Sequence, residues 1–256
     1  MRAPTAEGEK KAREVLGIET ATRCGGVAHL RGGKLLGVRR FRGGGTGSRE
    51  LLPAVHSLLA EAGVSIRAVD GLAVAVGPGL FTGIRVGVAT AKGLALALGK
   101  PLVGVNCLEA LAAGAGGEEP QVVSVLDAYR GEVFAASFLR REGGLERLTP
   151  DGLFRPDSLP LPEGGALRFV GDGAHLHGGA LARRAAGRAH LGEEEPVCGG
   201  LCVQVARLGE EALRRGGIPL LGAVQPHYVR RPEALLRWEQ RAALTPGRGR
   251  LSMEGC

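Results

Sequence analysis

The order of apolar and polar positions divides the chain into short buried strands and two-faced helices. "EVLGIETAT" (14–22) is an apolar run closing on polar residues, the pattern of a buried strand entering a turn. "GGVAHLRGGKLLGVRRF" follows it and predicts a hairpin with Gly32-Gly33 at the tip. In "SRELLPAVHSLLAEAG", Leu51, Leu52, Val55, Leu58, Leu59 and Ala62 recur at helical spacing, predicting a helix over 49–62. Ser48 suits its N-terminus, Gly63 suits the left-handed residue that ends it, and Pro53 is expected in or near the first turn. "DGLAVAVG" (70–77) reads as a second buried strand. It leads through Gly-Pro-Gly into an apolar helix over 80–98 and a third strand, "PLVGVN".

"AAGAGGEEPQ" (112–121) has no period and separates two halves, 14–112 and 120–234. The second half repeats the opening grammar. Strand "VVSVLDAYR" turns into strand "GEVFAASFLRR", then through Gly143-Gly144 into "LERLTP". Each half thus opens on an apolar strand that ends in an acid, Glu19 or Asp127, before a hairpin. "LRFVGDGA" (167–174) is a strand ending in Gly171-Asp172-Gly173, followed by a basic helix, "LHGGALARRAAGRA". The last helix, "LCVQVARLGEEALRRGG", is expected to pack back on the first half. Residues 1–13 and 240–256 lack periodicity and are expected to be disordered.

The helix over 80–98 carries the most specific signal. Gly83, Gly87, Ala91 and Ala95 form one smooth ridge at i, i+4, i+8 and i+12, which admits a close neighbour. Its other faces are apolar too, so more than one side calls for burial. Three glycines inside it cost about 1 kcal/mol each, so packing has to offset them. These features predict a partner-binding surface built from Leu51, Leu52, Val55 and Leu59 of the first helix with Gly83, Gly87, Thr90, Ala91, Leu94 and Ala95 of the second.

Catalytic chemistry finds little support. Gly83 is followed by Ile84-Arg85, which breaks the phosphate-loop pattern, and Gly77, Gly79 and Gly83 miss the dinucleotide spacing. In a two-lobed nucleotide-binding fold, the acids at the strand ends would face each other across a cleft. Glu19, Thr20, Asp127, Gly171, Asp172 and Gly173 are therefore candidates for a residual nucleotide cleft, obstructed by Ala21 and Tyr129, which stand where glycine would admit phosphate. No two histidines have H-x-x-x-H spacing, so no metal site is expected.

Composition narrows the partners. The 256 residues are 44% hydrophobic and 23% charged, an ordinary globular balance. Only 4% are aromatic, which disfavours base-stacking platforms. A net charge of +7 permits an RNA partner, and Arg183, Arg184 and Arg188 cluster on one helix as candidate contacts. Five loosely spaced cysteines predict reduced thiols and a cytoplasmic setting. No signal peptide or membrane span is expected.

"GPGLFTGIRVGVATAKGLALALGKPLVGVNCLEALA" resembles the hallmark block of the TsaB family, components of bacterial tRNA threonylcarbamoyladenosine synthesis. "VLGIETAT", "VLDAYRGEVFAA" and "PHYVRRPEA" agree in order, so the resemblance spans residues 14 to 234. Ala21, Gly47 and the loop "RGGGTG" depart from the commoner pattern. The resemblance implies an α/β actin/Hsp70/hexokinase-like (ASKHA) fold of two ribonuclease-H-like lobes. It implies a non-catalytic subunit that pairs with a TsaD-type catalytic subunit through the helices of the first lobe, joined by a TsaE-type ATPase. Transfer of threonylcarbamoyl to the adenosine beside the anticodon would occur on the partner. tRNA would meet this chain through the complex, and the chain alone is either a homodimer or a monomer. ATP and a divalent metal would belong to the partners, with no cofactor here. The alternative is an ATP-dependent kinase-like enzyme or ATPase of the same fold.

Overall fold

The computed structural model describes residues 12–42, 47–192, 200–216 and 220–230. Residues 1–11 and 240–256 of the expected tails, the glycines at 43–45, Cys198, Cys256 and the end of the "PHYVRRPEA" block lie outside them.

Two sheets of one topology carry the two halves. In the first, β1 (Glu14–Glu19), β2 (Cys24–Arg31) and β3 (Lys34–Arg42) form an antiparallel meander. β4 (Gly71–Gly77) joins β1 in parallel and β5 (Leu102–Asn106) joins β4, giving the order β3-β2-β1-β4-β5. In the second, β6 (Gln121–Asp127), β7 (Val133–Arg141) and β8 (Gly144–Arg147) repeat the meander. β9 (Gly152–Phe154) pairs with the other end of β7, so the third strand is split in two. β10 (Leu167–Val170) and β11 (Ala189–Leu191) add in parallel beyond β6. Read outward from its central strand, each sheet has the same order, so the chain is an α/β fold of two lobes with repeated topology.

Helices cover both faces of the first sheet. α1 (Gly47–Glu61) packs on β2 and β3, and α2 (Phe81–Leu98) on β4. α3 (Cys107–Gly114) lies between the lobes, touching β4 and β5 of one sheet and β6 and β7 of the other. α4 (Asp172–Leu176) and α5 (Gly178–Ala185) belong to the second lobe, and α6 (Leu201–Arg215) packs on β1, β2 and β4. Ala73 faces Gly209 of α6 while its neighbour Val74 faces Gly87 of α2, so these two helices sit on opposite faces. With both faces covered, β1 and β4 bury almost every residue, hence their unbroken apolar runs.

Several local expectations change. Pro53 lies inside α1, in its second turn, where the missing N–H removes one ladder hydrogen bond. The basic helix breaks at His177 into α4 and α5, and Gly171-Asp172-Gly173 opens α4. Cys107 and Cys202 are buried cysteines outside any disulfide, but Cys24 is disulfide-bonded, against the expectation of reduced thiols throughout.

Candidate functional site

The carboxyl ends of β1, β4, β6 and β10 converge where the lobes meet, the place where open α/β sheets bind ligands. The remaining gap there is about 10 Å³, lined by Ala21, Arg23, Leu80, Asp127, Tyr129 and Asp172 among others. A single water needs at least that much, and a ligand pocket begins near 300 Å³.

Arg23 spans the gap from an exposed position. Its Nη2 donates to Asp127 Oδ2 at 2.7 Å and its Nε to the Tyr129 hydroxyl at 3.1 Å, with the guanidinium 4.6 Å from the Tyr129 ring centre. Asp127 in turn accepts from the Tyr129 amide, and Asp172 Oδ1 accepts from the Asp127 amide at 2.9 Å. Tyr129 and Arg130 both hold φ of 59°, a left-handed conformation that side chains disfavour.

Of the cleft candidates, Asp127 and Asp172 line the gap and the others do not. Thr20 is buried and donates its hydroxyl to Gly83 O of α2 at 2.7 Å. Glu19 is 1% exposed and accepts from the Thr22 amide and hydroxyl at 2.8 and 3.0 Å. Burial pushes its carboxyl up to about 7, partly offset by these Thr22 bonds, with Asp172 nearby adding to the rise. Asp172 is also raised by burial. Gly171 and Gly173 are packing glycines, because a Cβ on either would meet β6 backbone at 2.2 or 2.9 Å.

A second clasp joins the lobes beside the first. The His227 amide donates to Val76 O and its Nε2 pairs with Asp151 at 2.9 Å. Arg85 lies 3.8 Å over the Phe81 ring and donates to the Tyr228 hydroxyl, while Arg230 Nη1 donates to Ala128 O. Between this segment and α2 lies a cavity of about 460 Å³ floored by Leu80, Ile84 and Phe134.

The α1–α2 surface differs from the sequence expectation. Leu51, Val55, Leu59, Gly83, Gly87, Ala91 and Ala95 are buried in the chain's own core. The small-residue ridge seats α2 on the sheet, with Thr20 O and Oγ1 at 1.9 and 2.2 Å from the positions Cβ atoms on Gly83 and Gly87 would take. Leu52 is exposed, and Thr90 and Leu94 are half-buried. The outward face of α2 is instead Thr82, Arg85, Ala89, Gly93, Leu96 and Ala97, residues that sequence reasoning missed. Leu96 is 75% and Leu52 52% exposed, and a Cβ on Gly93 would meet nothing. The missed signal was a second small-residue stripe, Ala89-Gly93-Ala97, offset by two positions from the ridge. Among the described residues, α2 alone is long and apolar enough to cross a membrane, yet its inner face is packed on β4.

Arg188 is structural, since Nη1 donates to the Pro162 and Gly164 carbonyls at 3.0 Å each, whereas Arg183 and Arg184 stay exposed. No group of His, Cys, Asp or Glu among the described residues could hold a metal.

Comparison with known proteins places these features. The family model for "TsaD: tRNA N6-adenosine threonylcarbamoyltransferase" matches residues 47–167. The Bacillus subtilis tRNA threonylcarbamoyladenosine biosynthesis protein TsaB is 34% identical over 137 residues, 54% of this chain and 60% of that protein. The Escherichia coli TsaB is 38% identical over 100 residues, 38% of this chain and 43% of its own. The chain thus spans about half the length of these curated relatives. The structure of YeaZ from Pseudomonas aeruginosa superposes with a TM-score of 0.72 at 27% identity, covering 84% of this chain and 99% of that one. The chain is thus similar to proteins named TsaB over about half their length and, in its fold, to YeaZ over almost all of that chain.

Proposed function

We propose that this chain is a non-catalytic scaffold subunit in the synthesis of threonylcarbamoyladenosine on tRNA, working in the cytoplasm. It docks a TsaD-type catalytic subunit on the outward face of α1 and α2, and a TsaE-type ATPase and tRNA join the assembly. The observation that carries this reading is the smooth, largely apolar stripe of Ala89, Gly93, Leu96 and Ala97 on a helix whose inner face is already satisfied, with Leu52 of α1 exposed as well. Relatives named TsaB, and the TsaD family model over 47–167, support a subunit built like its own partner. The chain binds no nucleotide or metal of its own, and those belong to the partners. The alternative, an ATPase or kinase-like enzyme, would have to use the adjoining cavity of about 460 Å³, since the gap between the turns is about 10 Å³.

The test is reconstitution with a TsaD-type subunit, a TsaE-type ATPase, threonylcarbamoyl-adenylate and tRNA. Adding this chain should raise product formation. Gly93→Leu and Leu96→Asp should each weaken pairing with the TsaD-type subunit at least about tenfold, or 1.4 kcal/mol. Undiminished affinity in both variants refutes the docking surface.

A further inference from the structure

The turns after β1 and β6 face each other across the lobe junction. A cation from the chain itself joins them. Arg23 leaves the β1–β2 turn of the first lobe and reaches Asp127 and Tyr129 on the β6–β7 turn of the second. The Asp127 side chain is 5% exposed, with Asp172 bonded to its amide, while the Arg23 side chain that reaches it is 55% exposed. Arg23 brings opposite charge to this carboxylate from the other lobe, and no other cation donates a hydrogen bond to Asp127 among the described residues. His177 is the next nearest, 3.7 Å from Oδ1. The left-handed Tyr129–Arg130 pair belongs to the tight β6–β7 hairpin turn, closed by its own backbone bonds from Ala128 N to Glu132 O and Glu132 N to Tyr129 O, and it presents the Tyr129 hydroxyl and ring to Arg23.

We propose that Arg23 is a latch, bonded to Asp127 and Tyr129 across the junction, that holds the two lobes at one angle. The latch goes beyond the scaffold reading and does not depend on it, since it concerns the isolated chain. The clasp around His227, Tyr228 and Arg230 is a rival holder of the same junction, and the experiment separates the two.

Amide hydrogen exchange of the full chain reads the latch directly. Arg23→Ala should speed exchange at least about fivefold in both facing turns, residues 20–24 and 127–131, while β4 and β6 keep their protection. Asp127→Asn breaks the same pair from the other lobe and should give the same two-turn pattern. Arg23→Lys keeps the charge but loses the planar stack and the second bond, so its effect should fall between. If each variant loosens only the turn that carries it, or if Arg23→Ala changes neither turn by more than about twofold, the rival clasp holds the lobes and the latch is refuted.

Discussion

The Thr20 hydroxyl oxygen lies 2.2 Å from the point where a Cβ on Gly87 would stand. The same hydroxyl donates to the Gly83 carbonyl, so β1 and α2 meet at backbone distance. This contact reverses what the ridge suggests by itself, that bulk at Gly87 would spare the fold and block a partner. Gly87→Leu is expected to destabilise the isolated chain by about 1–3 kcal/mol or more, overwhelming the gain of under about 1 kcal/mol in helix propensity. Thermal melting checks it, and a variant melting at or above wild type would show that α2 is seated elsewhere.

Gly93 gives the opposite expectation on the same helix. Its missing Cβ faces open space, so Gly93→Ala should stabilise the isolated chain by up to about 1 kcal/mol. Denaturant unfolding reads this as a higher midpoint at unchanged slope. A lower midpoint would mean that the outer face of α2 is covered in the free protein.

The buried Glu19 carboxyl makes stability depend on pH with an unusual sign. Its folded value is raised from 4.5 to about 7, so the folded state holds the proton more tightly. Its contribution is full below about pH 4.5 and is lost as pH rises through about 7, an effect on the order of 3 kcal/mol. Glu19→Gln should therefore match wild type near pH 4.5 and exceed it at pH 8. Unfolding free energies at the two pH values decide, and a variant less stable than wild type at pH 8 contradicts the assignment.

Nucleotide should leave the wild-type chain untouched. A ligand present at a hundred times its Kd would add about 2.7 kcal/mol of stability. With the gap spanned by Arg23, millimolar Mg-ATP is expected to leave the melting temperature within about 1 °C. A clear rise would reopen the ATPase reading.

The sheets were legible because both faces of β1 and β4 are buried, which writes strands as plain apolar runs, and because the second half repeats the first, with its acid in the same place. The ridge on α2 was legible as close packing but not as packing on what. Glycine spacing records that a neighbour comes near, and a strand and a helix ask for the same thing. Arg23 was invisible, since its partner Asp127 lies 104 residues away and a single arginine in a turn has no pattern. Pro53 misled in a smaller way, because the start of α1 lies upstream of the first apolar residue of its pattern.

Seating α2 on Thr20 at glycine distance also fixes what any visitor to its outer face would meet. A helix held by interlocked backbone has little freedom to roll or slide, so the outward stripe is preorganised. Association there forfeits little conformational entropy, and affinity would be set by fit across the stripe instead of by rearrangement beneath it.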